Sequence, residues 1–243
     1  MKTTRIHNRW DLELPDFLAD WDVWDYWEKP RFDSMEANLN QGDVLFDIGS
    51  ENGALSALYA NFVGGGSMCL FEPAPEFWPN IRKVFAANDI SDPLACFAGL
   101  LSDETVPDPS GLNYDPTMKD GWPAAAWVDV EEISRPYRYL HEPHHTAVTR
   151  QTKLDDWVEA IPDAITMDIE GAEMRVLRGA YTTLAIHRPL VWVSIHPDLM
   201  LRDYDATPEQ VFALFDDLEY DARHLATDHE SHWFFWPKER NVH

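Results

Sequence analysis

The chain has 243 residues, 45% of them hydrophobic, with 19 Lys and Arg against 43 Asp and Glu, for a net charge of −24. Such a length suits a single domain, residues 1–243, able to bury a full core. The acidic surface repels nucleic-acid phosphates and anionic lipid, and no apolar run approaches the roughly twenty residues of a membrane span, so neither nucleic acid nor membrane is an expected partner.

Residues 1–40 form an aromatic, acidic lead-in. Trp10, Phe17, Trp21, Trp24, Trp27 and Phe32 recur in part at helical intervals, which predicts one or two short helices capping a sheet edge. Trp24 and Trp27 carry a second reading, as walls of a cofactor or sugar site, because aromatic faces suit both tasks. The basic residues near Met1 have no apolar stretch behind them, so no signal peptide is expected. Strands are then predicted near 43–48, 67–72 and 93–98, with helices near 53–62 and 76–88. Cys69 and Cys96 fall in two of these strands and read as packed thiols of a reducing, cytoplasmic protein.

Residues 103–150 interrupt the alternation. Pro107, Pro109, Gly111, Pro116, Gly121, Pro123, Pro136 and Pro143 are too many breakers for a long helix. A long insertion in a compact domain is usually functional or disordered, and this one is read as a substrate lid. Residues 124–130 and 146–150 read as short strands within it. His141-Glu-Pro-His-His145 has the residue types of a metal site, but Pro143 breaks the local geometry, and a polar lid tip is preferred. Thr152 and Asp155 suggest an N-capped short helix through Val158. Further on, a strand from Ala164 runs into a helix through Ala180, with Ala172, Val176, Ala180 and Leu184 on one face. Leu190–Ile195 reads as a buried strand, Thr207-Pro-Glu209 as a helix start, and 220–226 and 232–236 as a hairpin. The sum is an α/β fold whose mostly parallel seven-stranded sheet has helices on both faces and closes on an antiparallel hairpin.

Two constellations carry chemistry. In Asp47-Ile-Gly-Ser-Glu-Asn-Gly53, a strand enters a glycine turn and a helix leaves it, and the next strand ends in Glu72. An acidic residue there is placed to accept hydrogen bonds from both ribose hydroxyls. Gly49 permits the turn, and Gly53 is expected to let helix and strand approach. A dinucleotide fingerprint would read G-x-G-x-x-G, whereas here Asp47 and Glu51 flank the position of a pyrophosphate, an unfavourable arrangement. Beside the ammonium and sulfonium of S-adenosylmethionine the same charges are favourable, which makes Asp47, Gly49, Ser50, Gly53 and Glu72 candidate contacts to that cofactor. The second constellation is Asp168-Ile-Glu170 at the end of one strand and His196 at the end of the next. Carboxylates and an imidazole at adjacent strand tips provide what proton removal from a hydroxyl or amine requires. Asp168 and His196 are the catalytic candidates. Glu170 reads equally as a helix cap or as a cofactor contact. No metal site is assigned, a cation on Asp168, Glu170 or His196 being the lesser alternative.

Asp47-x-Gly-x-x-x-Gly53, Phe71-Glu-Pro73, Thr152-Lys-Leu-Asp-Asp156, Asp168-x-Glu-Gly-Ala-Glu173, Leu177-Arg-Gly-Ala180 and Ile195-His196 stand in the order seen in FkbM-like methyltransferases, which the chain resembles over roughly residues 41–197. The resemblance implies a Rossmann-like class I fold and S-adenosylmethionine-dependent methylation, commonly of sugar or natural-product hydroxyls. Three departures from the family pattern stand out. Ser50-Glu-Asn52 stands where the family usually has Ala-Asn and a third residue, Thr166 takes a position usually held by Lys, and Ser194 one usually held by Glu. The alternative function is therefore a catalytically degenerate cofactor-binding scaffold. The acceptor and the oligomeric state are left open.

Overall fold

The structure is a computed structural model and describes residues 1–106, 120–127, 151–157 and 159–243. In chain order its elements are β1 (Lys2–Ile6), β2 (Trp10–Leu14), α1 (Asp16–Ala19), α2 (Lys29–Asn38), β3 (Leu45–Ile48), α3 (Ala54–Val63), β4 (Met68–Phe71), α4 (Trp78–Ala87), β5 (Ala95–Phe97), β6 (Leu100–Leu101), β7 (Gln151–Thr152), β8 (Ala164–Met167), α5 (Glu173–Gly179), α6 (Tyr181–His187), β9 (Leu190–Ile195), α7 (Pro197–Tyr204), α8 (Pro208–Asp217), β10 (Tyr220–Thr227) and β11 (Ser231–Pro237). Seven strands form one sheet in the order β10-β11-β9-β8-β3-β4-β5. All pairs from β9 to β5 are parallel, and β11 runs antiparallel to both β9 and β10. This is the expected seven-stranded sheet with one reversed strand.

The inner strands read as unbroken apolar runs because both faces are covered. Alternate residues divide between two cores. Leu45, Leu70, Ala164, Trp192 and Phe234 face α2, α3 and α4 together with the N-terminal segment. Phe46, Phe71, Ile165, Met167, Val191 and Phe235 face α5, α6 and α8. Cys69 and Cys96 are buried free thiols on the neighbouring strands β4 and β5. Among the described residues no helix is long and apolar enough to cross a membrane.

Several expectations need correction. The aromatic lead-in opens as a β-hairpin, β1 with β2, before any helix. Its turn holds His7 and Asn8 at φ 47° and 56°, the left-handed pair that tight hairpins require. The helix after β8 ends at Gly179, and α6 begins anew at Tyr181. Ala124–Trp127 is a turn of 3-10 helix rather than strand. Thr152 closes β7, and the short helix that follows, Leu154–Asp156, has Lys153 at its N-cap position and no side-chain cap. A further helix, α7, starts on Pro197 where none was expected. Most of the insertion, including His141–His145 and the run 146–150, lies outside the described residues.

Candidate active site

β4 follows β3 on one side, while β8 and β9 lie on the other, so the chain reverses its direction of travel between β3 and β8. Open α/β sheets bind ligands in the crevice above the strand tips at such a point. Here a cavity of about 900 Å³ opens over the carboxyl ends of β3, β4 and β8. Its floor includes Gly49, Ser50, Glu72, Asp168 and Glu170, and its wall includes Trp21, Trp27, Glu28 and Glu230. This volume lies in the upper range of small-molecule sites. Trp27 lines the cavity, whereas Trp24 is buried in the core with its indole N–H on Leu18 O.

At the end toward β4, backbone geometry fixes the turn. The N–H groups of Gly49 and Ser50 both donate to Phe71 O, at 2.9 and 3.2 Å. Gly49 has φ +92°, and a Cβ there would lie 2.0 Å from the carbonyl oxygen of Asp168; only glycine lets the tips of β3 and β8 close in this way. Gly53 has a different role from the one expected. At φ +82°, its missing Cβ would meet Ile81 Cα at 2.8 Å, so it admits α4 against the start of α3 rather than a strand. Glu72 accepts from Glu51 N–H at 2.9 Å and from Ala74 N–H at 2.8 Å, which aims its carboxylate at the cavity. Asp47 lies behind the turn, bonded to Ser56 Oγ at 2.5 Å. Burial raises the pKa of all three acids at this end. Asp47 rises to about 6, Glu51 to about 7 with Glu170 adding to the effect, and Glu72 to about 8 against the pull of its two N–H donors.

The opposite end gathers carboxylates around one imidazole. His196 Nδ1 lies 2.7 Å from Glu173 Oε1, and Nε2 lies 2.7 Å from Glu230 Oε2 and 3.6 Å from both Asp168 Oδ1 and Glu170 Oε2. The Nε2–Glu230 approach is that of an ion pair but misses hydrogen-bond alignment. Burial opposes charge on His196, yet Glu173, Glu230 and Asp168 raise its pKa to about 11. Burial would also raise Glu230, but His196 holds it down to about 2. Burial and the nearby Glu230 push Asp168 well above the carboxylate range, although about a quarter of its side chain still meets the cavity. Glu28, Glu51 and Glu170 all have positive φ, 52°, 42° and 53°, and all line the cavity. Non-glycine residues in this region carry backbone strain of the kind that gathers at functional sites.

Under this floor lies a buried cation. Arg31, 1% exposed, donates to Glu28 at 2.9 Å, to Ser194 Oγ at 2.8 Å and to Thr166 Oγ1. Sequence reasoning missed Arg31 and Glu230. An arginine among aromatic residues reads as helix surface, and Glu230 sits in the β10–β11 turn, where acidic residues are ordinary.

Residues 47–221 match the family model described as the Methyltransferase FkbM domain. The chain belongs to the FkbM methyltransferase family. Among solved structures, it is similar to the FkbM methyltransferase of Methylobacillus flagellatus KT (17% identity, TM-score 0.50), over 80% of this chain and 44% of that one. The chain therefore spans less than half the length of that relative. It is also similar to precorrin-6y C5,15-methyltransferase from Geobacter metallireducens GS-15 (10% identity, TM-score 0.52), over 98% of this chain and 100% of that one. The N-methyltransferase NodS of Bradyrhizobium japonicum WM9, solved with S-adenosylhomocysteine, matches with 11% identity and TM-score 0.51 over 93% and 92% of the two chains. These likenesses establish the class I methyltransferase fold. No curated protein matches the chain significantly. Arg31, near the start of α2, donates to both Thr166 and Ser194 and pairs with Glu28, so these two strand positions meet a buried basic group that is itself paired with an acid.

Proposed function

We propose that the protein is an S-adenosylmethionine-dependent methyltransferase that acts on a hydroxyl oxygen of a sugar or small hydroxylated metabolite. One observation carries the reading: the glycine turn with Glu72 and the Asp168 cluster face each other across a single cavity at the point where the sheet reverses. In this reading Glu72 accepts from the ribose hydroxyls. Gly49 and Ser50 line the cofactor path, and Glu51 and Glu170 offset the positive charge of the methionine end. Asp47 and Gly53 shape the turn from behind. The residues from β1 to α2 supply the aromatic wall, which supports treating residues 1–243 as one functional unit.

The chemistry is in-line displacement. The acceptor oxygen forms a bond to the methyl carbon as the C–S bond breaks, its electron pair returning to sulfur to leave the neutral thioether. The enzyme's main contribution is to hold oxygen and sulfonium collinear and close. The hydroxyl proton passes to Asp168, whose carboxylate stands at the tip of β8 with about a quarter of its side chain open to the cavity. His196 carries a proton on each nitrogen in the charge environment described above, so its role is to position and balance the carboxylates rather than to accept the proton directly. The alternative, a catalytically degenerate cofactor-binding scaffold, rests on the Lys and Glu that the resemblance implies at Thr166 and Ser194; the buried Arg31–Glu28 pair beside Thr166 and Ser194 supports the active reading over it.

The test is a mass-shift assay for methyl transfer from S-adenosylmethionine to a panel of sugars and hydroxylated metabolites. Asp168→Asn is expected to lower turnover by roughly 10²–10⁴-fold while S-adenosylhomocysteine still binds. Full turnover by this folded variant would place the base elsewhere.

A further inference from the structure

We propose that Asp168, His196 and Glu230 form a binding site for one divalent first-row cation at the acceptor end of the cavity. Each residue offers a ligand atom, and the three atoms lie within 4.8 Å of one another. His196 Nε2 is 2.7 Å from Glu230 Oε2 and 3.6 Å from Asp168 Oδ1. Atoms that share a metal at about 2.0–2.2 Å stand about 3.0–3.6 Å apart, so these side chains need only small adjustments.

Two of the atoms also lack a hydrogen-bond partner. His196 Nε2 and Glu230 Oε2 are both buried and unsatisfied, on residues 4% and 2% exposed. The two atoms stand 2.7 Å from each other without hydrogen-bond alignment, whereas buried polar atoms in native proteins nearly always make a hydrogen bond; a cation held by both would satisfy each with a ligand bond. The second ring nitrogen is already committed. Nδ1 faces Glu173 Oε1 at 2.7 Å, on a side chain with no exposure. A carboxylate that takes the remote N–H fixes the ring and turns the Nε2 lone pair toward a metal, the usual support of a ligating histidine. Charge argues the same way. Four carboxylates, Asp168, Glu170, Glu173 and Glu230, surround a single imidazole, a set of oxygen donors that a divalent cation would draw together. A proton on Nε2 and a cation are thus alternative occupants of one space. One imidazole nitrogen with two or three carboxylate oxygens suits Mn²⁺, Fe²⁺ or Zn²⁺ better than Ca²⁺.

Occupancy of this site is independent of the proposed function, but its use rests on that reading. A cation here would take the acceptor oxygen as a further ligand and lower its pKa, as metal ions do for bound water.

Chelator-treated full-length protein is titrated with Mn²⁺, followed by loss of the free-ion electron paramagnetic resonance signal, with S-adenosylhomocysteine titrated calorimetrically into the same samples. One Mn²⁺ should bind per chain. His196→Gln and Glu230→Gln should each weaken it at least tenfold, and Glu173→Gln by about 10–100-fold. His229→Ala should leave it unchanged, which separates this site from the exposed Asp228–His229–Glu230 group that shares Glu230. If a glutamine variant fails to fold, pulsed resonance on His229→Ala carries the test, since bound Mn²⁺ must still show a histidine nitrogen coupling. No saturable binding of Mn²⁺ or Zn²⁺ up to about 1 mM, a low-affinity limit, would overturn the proposal, as would binding lost in His229→Ala but kept in His196→Gln. Normal S-adenosylhomocysteine binding without Mn²⁺ binding defeats the cation site alone; the reverse pattern defeats the methyltransferase reading alone.

Discussion

Thr166 and Ser194 both accept hydrogen bonds from Arg31, a residue 135 and 163 positions earlier in the chain. Arg31 and Glu28 have side-chain exposures of 1% and 0%, and removing one partner strands the other charge in a low-dielectric interior. Arg31→Met should therefore cost about 3–5 kcal/mol, and Glu28→Gln combined with it should recover part of that loss, both read by urea unfolding. An additive double variant would mean that the two charges do not depend on each other. Glu72 admits a more selective test. Glu72→Gln keeps the shape of the side chain but replaces one of the two oxygens offered to the ribose hydroxyls with an amide that cannot accept. It should weaken S-adenosylhomocysteine by about 2–4 kcal/mol, measured by calorimetry, and an unchanged affinity would move the ribose elsewhere. At this scale the sequence was legible wherever chemistry sits at a strand tip. Gly49, Glu72, Asp168 and His196 are announced by the apolar run that precedes each. Arg31, Glu173 in its role behind His196, and Glu230 become visible only when distant segments meet, because nothing local distinguishes a buried charge from a solvated one.

The strand–helix alternation from β3 to α4 could be read directly, since each strand is an apolar run closed by glycine or an acid. The N-terminal hairpin could not, because tryptophans at helical spacing masked the alternation of Thr4, Ile6, Leu12 and Leu14, all of which turn inward. Helix α7 has Pro197 in its first turn, a position proline favours, but a proline directly after a strand reads as readily as the end of that strand. The packing of α3 on α4 yields a prediction of its own. Gly53→Ala must place a methyl group against Ile81 Cα in a backbone conformation that alanine disfavours. It should destabilise the protein by about 1–3 kcal/mol and lower its thermal midpoint, whereas Gly42→Ala, with φ +94° and open space around it, should show the conformational part alone. Equal effects at the two positions would show that the helix contact is not what requires glycine at 53.

Across the molecule, an excess of acid is the dominant charge feature, with a net charge of −24, and part of it converges on one cavity. Asp47, Glu51 and Glu72 hold folded-state pKa values of about 6, 7 and 8, above their ordinary 3.8 and 4.5. A raised carboxyl pKa means that the folded state retains protons which the unfolded chain has released, so their contribution to stability falls as pH rises from about 4.5 to about 8. The thermal midpoint of cofactor-free protein should accordingly be lower near pH 8 than near pH 6. A cationic ligand pairs with the ionised forms, so its affinity should increase over the same interval, by at most about tenfold per pH unit for each group that must ionise. A flat affinity profile would mean that these acids do not meet the ligand's charge. The central claim is that this cavity accepts S-adenosylmethionine rather than a dinucleotide, and calorimetric titration of the wild-type chain with S-adenosylhomocysteine and with NAD tests it most directly. The account predicts saturable one-to-one binding of S-adenosylhomocysteine and no heat of binding from NAD; NAD binding without S-adenosylhomocysteine binding would contradict it.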